Sequence, residues 1–181
     1  IEAPEFVPLI RGRMTTINDE DVKTRKYPVE DGEGMANRAA NLTWLAKLGS
    51  SNEIVAGEWW PEDYAGEPLV SVEEDAAMEL GVGLGDRLVF LIAGQEIDLK
   101  ISSIRKVNWD SFQPNFFMVI SPGALDDFPS TYVASMRIDK SKTDLLIRLV
   151  RAHPTVSVID LDSILRQVKA IIDKASLAVQ A

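Results

Sequence analysis

The chain contains no cysteine, which excludes disulfides, thiolate metal sites and a cysteine nucleophile. That absence suits an oxidising compartment, where a free thiol is a liability. It holds a single histidine, His153, so a metal centre or catalytic triad built on several imidazoles is excluded too. Positive charge is in short supply. Nineteen Lys and Arg against 28 Asp and Glu give a formal net charge of −9 and a pI near 4.7, and such a chain is repelled by phosphate backbones unless a basic patch is concentrated locally. The densest basic stretch, Lys23-Thr24-Arg25-Lys26, runs straight into the acidic Glu30 to Glu33. Nucleic acid is therefore not expected as a partner. No apolar run approaches the roughly 20 residues that cross a bilayer, and Ile1-Glu2-Ala3-Pro4 has neither the charge nor the apolar core of a signal peptide.

What is present is ordinary globular material. Hydrophobic residues make up 46% and charged residues 26% of 181 positions, enough for one domain or two subdomains sharing a core. The chain begins at Ile1 rather than Met, and Ser176 to Ala181 carries no helix stop signal. We expect a piece of a longer protein.

Phe6 to Ile17 reads as a strand, with Pro4 and Pro8 confined to its start or to an edge. Asn18 to Asp21 supplies turn residues and Val22 opens a returning strand. The polar stretch Lys23 to Asn41 reads as a mobile loop. Short strands are expected over Asn41–Trp44 and Glu53–Pro61. Ser71 and Glu74 have capping-box spacing for a helix to Leu80, with Gly81 ending it. Arg87–Ile92 and Gln95–Ile104 form a hairpin around Ala93-Gly94, with Leu99, Ile101 and Ser103 alternating against Asp98, Lys100 and Ser102. Another strand ends at Ile120, and a further one spans Tyr132–Ile138. Beyond it come a helix over Lys142–Arg151, a strand over Thr155–Ile159, and a last helix capped by Asp160 or Asp162.

Candidate chemistry is sparse. Gly81-Val82-Gly83-Leu84-Gly85 lies after a helix and before a strand, the inverse of a phosphate loop, and reads as a turn. His153 sits at a helix end with no acid or serine elbow spaced to pair with it. The acidic runs Asp19–Asp21, Glu73–Asp75 and Asp126–Asp127 read as solvated surface, Asp19–Asp21 lacking the glycine and the terminal glutamate of an EF-hand loop. Asn41-Leu42-Thr43 is a short, common glycosylation pattern and is set aside. The unusual features are aromatic: Trp59-Trp60, and Trp109, Phe112, Phe116 and Phe117. Such rings anchor either a core or an interface, and both readings stay open from sequence.

The segment Val107-Asn108-Trp109-Asp110-Ser111-Phe112-Gln113-Pro114-Asn115-Phe116-Phe117 resembles one in the extracytoplasmic domain of ABC transporter permeases of the MacB/FtsX superfamily, in its YbbP-like subgroup. Val7–Arg13, Val55–Trp60, Leu80–Asp86 and Val156–Asp160 agree in order, so the resemblance covers nearly the whole chain. It implies an inner-membrane permease with this piece on the periplasmic side. It also implies an α+β fold, in which a porter-like α/β framework from both chain ends (1–43 and 135–181) flanks an inserted, β-rich, sabre-like subdomain (44–134). The porter half would lack an N-terminal strand and helix, and the last helix would continue toward the membrane through Leu177 and Val179. A separate cytoplasmic ATP-binding subunit would hydrolyse ATP. This piece would carry no catalytic residue, cofactor or metal, and would couple ATP-driven motion to export or extraction of a hydrophobic, lipid-like or peptide substrate. Trp59, Trp60, Trp109, Phe112, Phe116 and Phe117 are the candidate surface for that substrate or for a periplasmic partner protein. Two alternatives are a stand-alone carboxylate-dependent hydrolase, which needs two facing acids, and a passive interaction module.

Overall fold

The structure is a computed structural model, describing residues 4–139, 141 and 143–179. It divides into two compact units, Ile1–Met136 and Arg137–Ala181.

The first unit is built on strands β1 (Val7–Ile17), β2 (Glu20–Asp21), β3 (Ala39–Trp44), β4 (Asn52–Gly57), β5 (Leu69–Glu73), β6 (Arg87–Ile92), β7 (Gln95–Val107), β8 (Met118–Ile120) and β9 (Thr131–Val133), with helices α1 (Glu30–Asn37) and α2 (Glu74–Leu80). Six strands close on themselves in the order β1-β3-β8-β5-β7-β6 and back to β1. The β3–β8 and β5–β7 pairs are parallel and the others antiparallel. A barrel this small is filled by its own side chains. Ile10, Met14, Leu42, Val70, Val72, Leu88, Phe90, Ile92, Leu99, Ile101, Met118 and Ile120 fill it, with Ala76, Ala77 and Leu80 of α2 joining the same cluster.

This corrects the expected α+β, porter-like architecture. β1 and β3, placed in an outer α/β framework by the resemblance, are staves of the same barrel as β5 to β8. Their inward side chains belong to one continuous core, and a framework with a separate insert is not formed.

Two bulges set which side chains face inward. In β1 the pairing with β6 shifts between Met14 and Thr16, so Met14 and Ile17, three apart, both point into the core. In β7 the pairing with β5 slips by one between Ile101 and Ser103. Directly paired residues share a face of the sheet, so Ile101 lies inside with Val70, whereas Ser103 lies outside with Ser71. The alternation Leu99, Ile101, Ser103 does mark buried positions, but the extra residue moves the last of them to the opposite face. Arg105, paired with Glu73, follows Ser103 outward.

Smaller departures have local causes. Lys23 to Asn41 is not all loop: α1 forms within it and packs on α2 so closely that a Cβ on Gly32 would lie 2.1 Å from the Glu79 carbonyl oxygen. The capping box is not used, because Ser71 is a strand residue whose hydroxyl accepts from Ser103 at 2.8 Å. Glu73 caps α2 instead, its carboxylate accepting from the Ala76 amide at 2.9 Å. Gly81 ends α2 in the left-handed conformation (φ 67°) expected of it.

In the second unit, helices α3 (Thr143–Ala152) and α4 (Leu161–Val179) are joined by a segment in which Thr155–Ile159 forms no strand. Asp160 is the cap of α4, its carboxylate accepting from the Ser163 amide at 3.1 Å. The expected helix start at Lys142 falls outside the described residues.

Candidate functional site

Phe116 and Trp60 are core residues, 7% and 5% exposed. With Val7 and Val119 they form a second apolar cluster, flanked by Leu9, Leu45, Trp59, Tyr64 and Leu69, apart from the one that fills the barrel. Trp59 and Trp60 stack with ring centroids 4.0 Å apart. Their indole N–H groups donate to the carbonyls of Ala46 (3.0 Å) and Leu45 (2.8 Å), which satisfies the polar edge of each ring. This pair holds the segment after β4 against the rest of the unit.

Trp109, Phe112 and Phe117 are different: they are 46%, 62% and 40% exposed. Trp109 and Phe117 lie with centroids 4.9 Å apart and planes tilted by 50°. Beside them is a shallow, open depression lined by Ser51, Asn52, Glu53, Lys106, Asn108 and Asp110, among others. The six aromatics singled out from the sequence therefore divide, with Trp60 and Phe116 buried, Trp59 half-buried and three rings on the surface.

The loop that displays those rings is fastened from below. Arg105 is fully buried. Nη2 donates to the carbonyls of Phe116 (2.7 Å), Phe117 (3.1 Å) and Ser71 (3.4 Å), Nη1 donates to Asn52 Oδ1 (2.6 Å), and Nε has no partner among the described residues. The Phe117 carbonyl also accepts from the Glu73 amide at 2.8 Å. Burial pushes Arg105 down to about 10, well below its ordinary value, with the Glu73 carboxylate acting in the opposite sense; it stays charged at neutral pH. Asn115 extends the network to the tip. Its carbonyl oxygen accepts from Ser51 Oγ (2.8 Å) and Asn52 Nδ2 (3.2 Å), and its NH2 donates to Ser111 Oγ (3.0 Å) and the Asn108 carbonyl (3.3 Å). Sequence reading missed Arg105 and Asn115. An arginine placed among alternating apolar positions of a strand was the available signal for the first.

The remaining candidates hold no assembled chemistry. Asp19–Asp21, Asp126 and Asp127 are exposed, and buried Glu73 is occupied in capping α2. Among the described residues no group of three or more His, Asp or Glu side chains is placed to hold a metal ion. Gly81–Gly85 is a turn, closed by the Asp86 carboxylate accepting from the Gly83 amide at 2.8 Å. His153 is exposed, its amide donating to the Leu149 carbonyl. Among the described residues no helix is long and apolar enough to cross a membrane.

No family model matches the chain. It is similar, at 42% identity over 164 residues, to a protein of Escherichia coli (strain K12) described as "Uncharacterized ABC transporter permease YbbP". The match covers 90% of this chain and 19% of that protein. The resemblance read from the aromatic segment and its companions is thereby borne out: the chain is similar to a segment making up about a fifth of an ABC transporter permease.

Proposed function

We propose that this chain, similar to one segment of an ABC transporter permease, serves as the permease's extracytoplasmic domain and takes no part in bond-breaking chemistry. The 42% identity over 90% of the chain carries the proposal. The absence of cysteine accords with an oxidising compartment. A cytoplasmic ATP-binding subunit supplies the energy, and transmembrane segments carry its motion to the barrel. Trp109, Phe112 and Phe117 form the contact surface for a hydrophobic, lipid-like or peptide substrate, or for a periplasmic partner. Exposed aromatics clustered beside a depression are the usual composition of such contacts. Trp59, Trp60 and Phe116 hold that surface in place from within. The acidic runs give the hydrolase alternative no support, since Asp19–Asp21, Asp126 and Asp127 are exposed and Glu73 is occupied in capping α2.

The chain's lack of cysteine makes the test simple. Asp127→Cys, at an exposed position, is introduced into the full-length protein in a background free of other cysteines. A membrane-impermeant maleimide should label it in intact cells with a permeable outer membrane. Labelling only after lysis would place the domain in the cytoplasm and overturn the proposal.

A further inference from the structure

We infer that Arg105 is a positioning residue that holds the 108–117 loop in its display conformation, so that the aromatic surface is preformed and not shaped by what it meets. The inference rests on the proposed function for what the surface is for, but the holding itself is independent of it.

A surface loop of ten residues ordinarily takes its conformation from its own turns, and its backbone groups bond to water. Here the C-terminal end is gripped by a buried cation. The planar guanidinium presents several donors in a fixed fork, and it uses them on two successive carbonyls, those of Phe116 and Phe117, and on Asn52 of the neighbouring strand. Phe116 turns inward into the apolar cluster and Phe117 outward against Trp109. Fixing both carbonyls fixes which ring goes which way. From Asn52 the network runs to Asn115, which makes four bonds with its one amide. It continues to Asn108, whose side chain accepts from the Asp110 amide at 3.2 Å and whose own amide donates to Ser51 at 2.8 Å. Hydrogen bonds thus run from Arg105 through Asn52 and Asn115 to Asn108, Asp110 and Ser111. A rigid aromatic surface loses less conformational freedom on contact than one that must first order.

A lysine at this position has no fork to bridge two carbonyls and a side-chain amide, so charge alone does not replace the arginine. Hydrogen exchange of the 181-residue chain separates holding the loop from general stabilisation of the barrel. In Arg105→Lys, the amides of Asn108, Asp110 and Ser111 should exchange at least tenfold faster than in the wild type. Those of Leu88, Phe90 and Ile92 should change by less than about threefold. Asn115→Ala, further from the core, should accelerate the same three loop amides and serves if the arginine variant fails to fold. Equal acceleration in loop and barrel would show a merely structural residue. Wild-type loop amides exchanging at unprotected rates would show that the loop is not held. Either result overturns the inference. If the loop proves held while Asp127→Cys is labelled only in lysates, the proposed function fails and the role of Arg105 survives.

Discussion

Aromatic residues of the same type have different consequences here according to whether they are packed or exposed. Trp60 is packed and hydrogen-bonded, so Trp60→Ala leaves a cavity and an orphaned carbonyl and should cost roughly 3–5 kcal/mol. Trp109 is nearly half exposed, and Trp109→Ala should cost about 1 kcal/mol or less. Urea unfolding of the two variants checks the contrast, and equal losses would contradict the division into core and surface. Arg105 gives a prediction in pH. Its folded value, about 10, lies below its ordinary one, so the folded state binds fewer protons than the unfolded one only at pH values from about 10 upward. Wild-type stability relative to Arg105→Met should therefore be flat from about pH 6 to 9 and rise above about pH 10. Urea midpoints measured across that range test it; a slope near neutrality would mean the guanidinium is not held charged.

At the scale of elements, the joints are glycines and caps. Gly57 ends β4 with φ 73°, and a Cβ there would sit 2.2 Å from the Ser102 carbonyl oxygen, beside the β7 bulge. Both the conformation and the space exclude a side chain. Gly57→Ala should lower stability by more than the roughly 1 kcal/mol that a left-handed alanine alone costs, as a drop in thermal midpoint. Glu73 both caps α2 and lies beside Arg105 on β7. Glu73→Ala should exceed the ~1 kcal/mol typical of a lost cap, because it also removes a compensating charge from a buried cation. Glu73→Gln, which keeps an acceptor for the Ala76 amide, should recover part of the loss in the same unfolding assay. Strand and helix positions of this kind were largely legible: the β6–β7 hairpin and the glycine end of α2 follow from alternation and turn chemistry. α1 was not, because its two glycines lower helix propensity, and it gains its stability by packing Gly32 on α2. Thr155–Ile159 failed in the opposite direction, since β-branched residues form a strand only where another strand offers hydrogen bonds.

For the molecule as a whole, closure is the governing fact. β7 is paired on both edges, with β5 on one side and β6 and β4 in succession on the other, whereas β2 and β9 each pair with β1 alone. Amides of Leu99 and Ile101 should thus exchange only through global unfolding, and those of β2 and β9 by local opening. The same closure explains why the α+β expectation did not hold. Strand positions were readable from local alternation, but the pairing of β1 with β6 joins residues about 75 apart, and no local pattern specifies such a partner.

The sequence by itself determined the absence of cysteine chemistry, the acidic charge, most strands, and through its aromatic segment the similarity to part of an ABC permease. Those properties reside in composition, short-range periodicity and residue identity, all of which survive in a linear string. Only the tertiary structure decided that the staves close into a barrel, that one inserted residue in β7 turns Arg105 outward beneath the aromatic loop, and that three of the six rings face water. Each depends on register between distant strands, where a shift of one residue exchanges inside for outside.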